Sequence, residues 1–460
     1  MMHGFIRLIR WALPLVLSAA FTGGPVAAQT VSPGQIFSSG GIFHRQVCAG
    51  TAPAGQANCH SHVVTDQAGA ARTDDVSPPE RKRRGQVFSP FTVPQNGAGA
   101  SPNAAPTPNA TTSAAPYGVT DIRAAYGLGP APTSCTSFGP LVAIVDAYGY
   151  ASAEADLAKY RSTYGLPACT TANGCFRKYN QNGGTSYPAQ NLGWAQEQAL
   201  DLDMVSAVCP CCKIALVQST TNSYTSLGTA VNRAATLGAI AISNSYGGSE
   251  SGTTSIATSY YNNHPNSAVV ASSGDSGYGV QFPASASYVI GVGGTSLKGD
   301  ASARGFTETV WSGSGSGCSQ VFGKQIWQTD TGCSKRTVTD IAAVADPATG
   351  VAVYAPTNTT GGAAWYQFGG TSVAAPIIAG LYGLAGALPA TSATCSSSYP
   401  ACALYRLRGT TAFNDVISGS NATSTSSCGA STSSTYYLCN GGSGYDGPTG
   451  LGTPTGLTGF

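Results

Sequence analysis

Short apolar segments that alternate with helical patterns constrain the fold of this chain more than any other feature. The apolar segments are rich in Val, Ile and Ala and run into Gly or Ser; they are 141–149, 213–219, 239–248 and 268–277. Helical patterns lie between or after them, at 151–165, 195–208 and 224–237. Strands that are apolar along their whole length need both faces of their sheet covered. The sequence therefore predicts an α/β fold, with a parallel sheet and helices on both faces.

Polar residues stand at the carboxyl ends of three of these predicted strands. They are Asp146, Ser245 and Asp275. In parallel α/β sheets the carboxyl ends of the strands meet at one edge, where ligands bind. We expect the chemistry of this protein at that edge.

Composition divides the chain into four parts. The first has two arginines, an apolar stretch and small residues, which is typical of a cleavable secretory signal, with an uncleaved anchor as the alternative. The second is polar, the third is a Pro/Ala-rich linker that cannot build a core, and the fourth is long enough for one large domain. We predict a signal peptide at 1–28, a pro-segment at 29–94, the linker at 95–116 and a catalytic domain at 117–460.

Charge and hydropathy exclude two classes of partner. Charged residues make up 9% of the chain and the net charge is +2, so no nucleic-acid groove is expected. After the signal, no run of 18 apolar residues is present to span a bilayer. The one basic run, 81–84, is either a solvated linker or a processing site. We expect a secreted protein, extracellular or periplasmic, that acts as a monomer.

Fourteen cysteines agree with export, because an even number at short spacings is typical of a disulfide framework. The close pairs are Cys48/Cys59, Cys169/Cys175, Cys318/Cys333, Cys395/Cys402 and Cys428/Cys439. The cluster at 209–212 is a further disulfide candidate and, less well supported, a zinc site. Cys135 is expected to pair with one member of this cluster, which the sequence does not identify.

The segment 368–376, with the sequence FGGTSVAAP, has the features of a serine nucleophile motif. Its turn of small residues, followed by an apolar run, places Ser372 on the first turn of a buried helix, where free N–H groups favour negative charge. A serine needs a base in contact. Four of the five histidines precede residue 63, the fifth lies in a loop-like segment, and no HGT sequence is present. The base is therefore expected to be a carboxylate.

Carboxylates are scarce enough for their spacing to carry weight, with four Glu and twelve Asp from residue 117 onward. Glu197 and Asp201 are four residues apart on one face of a helix that carries no Lys or Arg. Two such carboxyls tend to share a proton, so Glu197 can act as the base while Asp201 holds it. A solvated helix face is the alternative. Asp275, kept neutral by burial, could donate to an oxyanion, or it could cap a turn.

Four motifs in order, WxxExxLD, SSGDSG, FPASASYVIGVGGTSL and GGTSVAAP, resemble those of the sedolisin family of serine-carboxyl peptidases. The resemblance covers essentially all of 117–460. It implies a subtilisin-like fold and a triad of Ser372, Glu197 and Asp201, with Asp275 as the oxyanion acid. It also implies a secreted endopeptidase that is made as a zymogen and acts on proteins or peptides through an acyl-enzyme. Because Asp275 must stay protonated and the carboxyl pair must share a proton, activity is expected to peak at about pH 3–5.

The family also has a calcium site near its C-terminus, and two segments here offer an oxygen-only set suited to one structural Ca²⁺ ion. The candidate ligands are the carboxylates of Asp415 and Asp446 and backbone carbonyls at Val416, Gly442 and Gly444. Simple turn chemistry is the alternative for each segment taken alone.

Two departures from the family pattern stand out. Residues 29–116 are short beside the large folded propeptide of typical members, and Gly370 stands where many members have Ser. A non-catalytic secreted binding or surface protein on a peptidase scaffold is the alternative function. A neutral-pH subtilisin-like peptidase is opposed by the missing histidine.

Overall fold

The computed structural model describes Met1 and residues 35–48, 50–73, 115–389, 399–424, 428 and 433–460. The predicted signal peptide lies outside these residues except for Met1, and the predicted linker lies outside them except for residues 115 and 116. The basic run at 81–84 lies wholly outside them. Within the described ranges, no helix combines the length and apolar character needed to cross a bilayer.

Most of the secondary structure lies between residues 119 and 385. The strands in chain order are β1 (Ile36–Ser39), β2 (Ile42–Gln46), β3 (Asn58–Cys59), β4 (His62–Thr65), β5 (Leu141–Ala147), β6 (Phe176–Asn180), β7 (Lys213–Ser219), β8 (Ala241–Asn244), β9 (Tyr246–Gly247), β10 (Ala268–Ser272), β11 (Ile290–Gly299), β12 (Phe306–Val310), β13 (Gly317–Cys318), β14 (Thr337–Val338), β15 (Ile341–Val344), β16 (Val351–Pro356), β17 (Ala363–Gly369), β18 (Phe413–Asn414) and β19 (Thr453–Pro454). The helices are α1 (Val119–Ala125), α2 (Ala153–Thr163), α3 (Leu192–Val208), α4 (Tyr224–Thr236), α5 (Thr254–Ile256), α6 (Thr371–Ala385) and α7 (Pro400–Arg406). A π-helical turn, Ala257–Tyr261, continues α5, and short 3₁₀ turns lie at Pro347–Thr349 and Tyr436–Leu438.

The large sheet has the order β12-β11-β10-β8-β5-β7-β6, and β15 also pairs with β11. All of these pairs are parallel except β11 with β12. The apolar segments predicted as strands form β5, β7, β8 and β10, with β9 following β8. The predicted helices form α2, α3 and α4. The predicted α/β fold with a parallel sheet is confirmed.

Two helices carry the residues of interest. In α3, the side chain of Asn191 caps the helix by accepting from the backbone N–H of Trp194 at 3.2 Å. Every residue of α3 from Gly193 onward is buried, because the helix packs against α6, β16 and β5. Helix α6 is buried from Thr371 to Gly383 and packs against β10, β8 and β15. The two helices therefore meet inside the core.

A second, antiparallel sheet has the order β1-β2-β4-β17-β16. Strands β1, β2 and β4 come from residues 36–65, inside the predicted pro-segment. Strand β17 leads directly into α6. Composition predicts no strands in this N-terminal segment, because its apolar residues are few and the strands are short.

The disulfides follow the close sequence pairs. Cys48–Cys59, Cys169–Cys175, Cys318–Cys333 and Cys428–Cys439 are bonded as predicted. Cys135 pairs with Cys211, and Cys209 pairs with Cys212. The zinc alternative for residues 209–212 is wrong, because these cysteines are cross-linked. The predicted pair Cys395/Cys402 involves residue 395, which lies outside the described residues.

Candidate active site

Ser372 is the second residue of α6 and is fully buried. The first N–H groups of a helix have no partner within it, so they are free to bind an acceptor. The Ser372 N–H donates to the carbonyl oxygen of His60 at 3.1 Å. Its hydroxyl donates to the carbonyl oxygen of Ser245 at 3.2 Å. Gly370, with φ at +99°, forms the turn from β17 into the helix.

Glu197 and Asp201 lie one turn apart on α3, and both are fully buried. Burial raises the pKa of Glu197 well above its usual range, and the charge of Asp201 adds to this effect. Neither carboxylate oxygen of Glu197 makes a hydrogen bond of ordinary geometry within the described structure. The hydroxyls of Ser372 and Ser61 nevertheless lie close enough to lower its pKa. Glu197 thus faces the hydroxyl of Ser372 from inside the core.

A third buried carboxyl group joins this pair. Asp146, at the end of β5, has its pKa raised by burial and by the charges of Asp201 and Glu197. The hydroxyl of Ser245 donates to Oδ1 of Asp201 at 2.8 Å. Burial also raises the pKa of Asp201 well above its usual range. Carboxyl groups packed so closely titrate as one unit and hold protons between them.

Asp275 lies beside the N-terminus of α6. Its Oδ1 accepts from the N–H and the hydroxyl of Thr371, at 2.8 and 2.7 Å. Its Oδ2 is 3.4 Å from Nε2 of His62. Burial raises the pKa of Asp275 to about 7, although the Thr371 bonds lower it. Below that pH the group is protonated and able to donate a hydrogen bond.

The structure brings the four predicted residues Glu197, Asp201, Asp275 and Ser372 together at the carboxyl ends of β5, β8 and β10. From the sequence, Asp146 and Ser245 are expected at strand ends but have no assigned role. The N-terminal segment is not expected at the site. A solvated helix face does not describe Glu197 and Asp201, since both are completely buried.

Residues 56–63 run past these side chains in a largely extended conformation, and the groove that they follow is called the cleft. Ala57 exchanges two hydrogen bonds with Asn222, at 2.8 and 2.7 Å. Strand β3 pairs antiparallel with β9, and the N–H of His60 donates to the carbonyl of Ser245 at 3.2 Å. Beyond Ser372, β4 pairs with β17. The segment therefore crosses the cleft in the way an extended peptide adds a strand to its receptor.

The proposed calcium ligands lie in two neighbouring loops. Oδ2 of Asp415 accepts from the N–H of Gly444 at 2.9 Å, and Oδ2 of Asp446 accepts from the N–H of Gly442 at 3.2 Å. The carbonyl of Val416 lies close to Gly441. Burial raises the pKa of Asp446 to about 8, and the nearby charge of Asp415 adds to this effect.

Oxygen donors of this kind suit a hard cation. Asp446 is fully buried and Asp415 is exposed. The N–H and hydroxyl of Thr449 also donate to Oδ1 of Asp446, at 2.9 and 2.8 Å. Among the described residues, no group of three or more His, Cys, Asp and Glu side chains is placed to hold a metal. A cation here would need the backbone carbonyls as further ligands.

Comparison with known proteins finds related sequences. A sequence profile of the Subtilase family matches residues 177–394. Kumamolisin from Bacillus sp. (strain MN-32) is 29% identical over 381 residues, which cover 75% of this chain and 63% of kumamolisin. Sedolisin from Pseudomonas sp. (strain 101) is 31% identical over 190 residues, which cover 38% of this chain and 29% of sedolisin. The chain thus spans less than two thirds of the length of each of these relatives.

A solved structure extends the similarity to three dimensions. It is Pseudomonas sedolisin, a serine-carboxyl proteinase, complexed with two molecules of pseudo-iodotyrostatin. The TM-score is 0.58 at 25% sequence identity, and the match covers 75% of this chain and 96% of that one.

Proposed function

The chain belongs to the sedolisin family, and on this premise we propose that it is a secreted serine-carboxyl endopeptidase that works in acid. Ser372 is the nucleophile, Glu197 its base, Asp201 the residue that holds Glu197, and Asp275 the oxyanion donor. The observation that carries the proposal is that the buried carboxyl groups of Glu197, Asp201 and Asp146 lie close to Ser372, the serine at the N-terminus of α6. Neither α3 nor α6 contains a histidine.

Each group has a step in peptide hydrolysis. Glu197 takes the proton of Ser372 as its oxygen bonds to the carbonyl carbon of the substrate. The Ser372 N–H and the protonated Asp275 donate to the oxygen that gains negative charge. Glu197 then gives the proton to the leaving nitrogen, and an acyl-enzyme forms on Ser372. Water then attacks the acyl-enzyme, Glu197 takes the proton of that water, and Glu197 returns a proton to Ser372 as the acyl group leaves.

The proposal includes a structural Ca²⁺ ion held by Asp415, Asp446 and carbonyls at Val416, Gly442 and Gly444. The ion would supply positive charge to two loops that otherwise bury a carboxyl. Secretion is supported by the disulfides, which are typical of oxidising compartments. The chain is proposed to be made as a zymogen, because its own N-terminal segment lies across the cleft.

Casein digestion by the purified chain, from about pH 3 to about pH 8, tests this function. We expect hydrolysis on the acid side that is absent in Ser372→Ala. A non-catalytic binding protein on the same scaffold would digest nothing at any pH, before or after incubation in acid. Equal digestion by Ser372→Ala would assign the activity to a contaminant.

A further inference from the structure

The imidazole of His60 fills a polar pocket next to Ser372. It is 2% exposed. Its Nδ1 lies 2.7 Å from the hydroxyl oxygen of Ser272, and its Nε2 lies 2.8 Å from Oε1 of Gln281. Both ring nitrogens are therefore within hydrogen-bond distance of a side chain of the domain.

The two partners can hold the ring in either protonation state. Oε1 of Gln281 only accepts, so it binds the Nε2–H of the neutral ring or of the cation. The hydroxyl of Ser272 can donate to Nδ1 of the neutral ring. When the ring is protonated, the same hydroxyl can accept from Nδ1–H and turn its own hydrogen toward the carbonyl of Asn244, 3.5 Å away.

Glycine at the wall of the pocket makes room for the ring. A Cβ added at Gly247 would lie only 2.7 Å from Cε1 of His60. A Cβ added at Gly274 would lie 2.8 Å from the side-chain nitrogen of Gln281. An aliphatic side chain in this pocket would leave the polar groups of Ser272 and Gln281 without their partners, and unpaired buried groups are costly.

The backbone carbonyl of the same residue contacts Ser372. The carbonyl oxygen of His60 accepts the Ser372 N–H at 3.1 Å. A Cβ built at Gly370 would overlap this carbonyl and would lie 2.6 Å from Oδ2 of Asp275. The His60 oxygen and Oδ2 of Asp275 thus both lie beside Gly370, next to the two groups assigned to the oxyanion. The bond that follows it joins His60 to Ser61.

We propose that Ser272 and Gln281 are specificity-determining residues that select histidine on the N-terminal side of the cleaved bond, and that His60–Ser61 is such a bond in the chain itself. This inference rests on the proposed peptidase function and names its substrate class. The occupant is a peptide with an imidazole side chain at the position whose carbonyl meets Ser372.

Hydrolysis of the His60–Ser61 bond consumes one water molecule. The oxygen of Ser372 bonds to the carbonyl carbon of His60, and Glu197 receives the hydroxyl proton. The bond to the Ser61 nitrogen breaks as that nitrogen takes the proton from Glu197. Water then attacks the ester, which restores Ser372 and leaves a carboxyl group on His60.

Self-processing of the full chain provides the first test. The protein is purified near pH 7.5 and shifted to about pH 4, and new N-termini are sequenced over time. We expect a terminus at Ser61 that requires Ser372, and a roughly 100-fold slower appearance in His60→Leu. His44→Leu, which removes another buried imidazole of the same segment, is the matched control and should be cut at the same bond. Cleavage of His60→Leu at the wild-type rate, or no terminus at Ser61, would overturn the proposal.

Peptide substrates provide the second test. Peptides that copy residues 55–64, with Cys59→Ala and either His or Leu at position 60, are given to the acid-treated enzyme. We expect kcat/KM to favour the histidine peptide by about 100-fold, and Gln281→Leu to reduce this ratio by at least about tenfold. Gln281→Glu keeps the acceptor and should keep the preference, which separates lost recognition from misfolding.

The outcomes distinguish this inference from the function on which it rests. Ser372-dependent cleavage of both peptides at equal rates would refute histidine selection and leave the peptidase proposal standing. Cleavage of neither peptide, together with an inert casein assay, would refute both.

Discussion

Burial rather than pairing with a cation governs the protonation of the residues at the cleft. Glu197, Asp201 and Asp146 are all completely buried, and no Lys or Arg lies on α3. The i,i+4 spacing of Glu197 and Asp201 could be predicted from the sequence, because it lies on one strongly apolar helix. The role of Ser245 could not be predicted, because it depends on how α3 and α6 pack. Its hydroxyl donates to Asp201, and its carbonyl oxygen accepts from the Ser372 hydroxyl.

Removal of either the nucleophile or its base should abolish hydrolysis. Ser372→Ala and Glu197→Gln are each expected to lower kcat by at least about 10⁴-fold, because the groups act as a unit. Kinetics on a peptide substrate measure the loss, and thermal unfolding checks that the fold is kept. Substantial activity in Glu197→Gln would show that another group accepts the proton.

Asp275 should set the alkaline limit of activity. The oxyanion donor is lost as the pH rises through its pKa, which is about 7 in the closed cleft. Water that enters the cleft when the N-terminal segment leaves weakens the effect of burial on this pKa. The alkaline fall in activity should therefore lie between about pH 4 and 7. Asp275→Asn keeps a donor that does not titrate, so its remaining, much slower activity should extend to higher pH. An unchanged alkaline limb in this variant would contradict the assignment.

At the scale of elements, the sequence predicted the central strands and helices well, because periodicity and continuous apolar runs are local signals. It predicted nothing for β1 to β4. Strand β4 is held by β17, about 300 residues away, and β3 by β9. Pairing of this kind depends on distant partners, so a short polar strand carries no local sign of it. Among these strands, only the hairpin of β1 and β2 around Gly40 and Gly41 had a local signal.

Acid should release this N-terminal segment. Burial lowers the pKa of His44 and of His60 to about 4, and that of His62 well below its usual 6.5, where the charges of His44 and His60 add to the effect. The detached segment therefore binds more protons, and its attachment weakens as the pH falls from about 6.5 to about 4. Each of the first two histidines contributes up to roughly 3 kcal/mol toward release. Asp275, which faces His62, acts in the opposite direction as long as its pKa stays raised, and Asp346 moderates the effect at His44.

Hydrogen exchange of Ser372→Ala, which cannot cut itself, measures this release. Amides of residues 57–65 should be protected near pH 7.5 and lose protection near pH 4, after correction for the intrinsic exchange rate. A triple variant with His44→Gln, His60→Gln and His62→Gln should show little dependence on pH. Equal protection at both pH values in the parent would refute the prediction.

The loops that carry Asp415 and Asp446 should depend on calcium. An ion that binds only the folded state stabilises it by mass action, so chelation should lower the unfolding temperature and activity together. Asp446→Ala should lower both in the same way and make the protein insensitive to EDTA. Calorimetry with and without EDTA, on protein checked for metal content, provides the measurement. Identical thermal unfolding transitions in metal-loaded and metal-free protein would refute the calcium site.

At the scale of the whole molecule, the proposed substrate segment and the proposed active site belong to one chain. A tethered peptide experiences an effective concentration of about millimolar, however dilute the protein is. Self-cleavage at the cleft should therefore be first order, with a half-time that does not change when the protein is diluted a hundredfold. A half-time that lengthens on dilution would mean that one molecule cuts another.

The cross-link between Cys48 and Cys59 has a consequence for what happens after that cut. Both cysteines lie on the N-terminal side of the His60–Ser61 bond, so no covalent link holds the severed piece to the domain through them. Once the pH rises again and Asp275 and the buried carboxyl groups of α3 ionise, its new carboxylate would lie among negative charges, where it is poorly tolerated. Product repulsion would then make the first turnover irreversible, so that the molecule keeps a record of having once been exposed to acid.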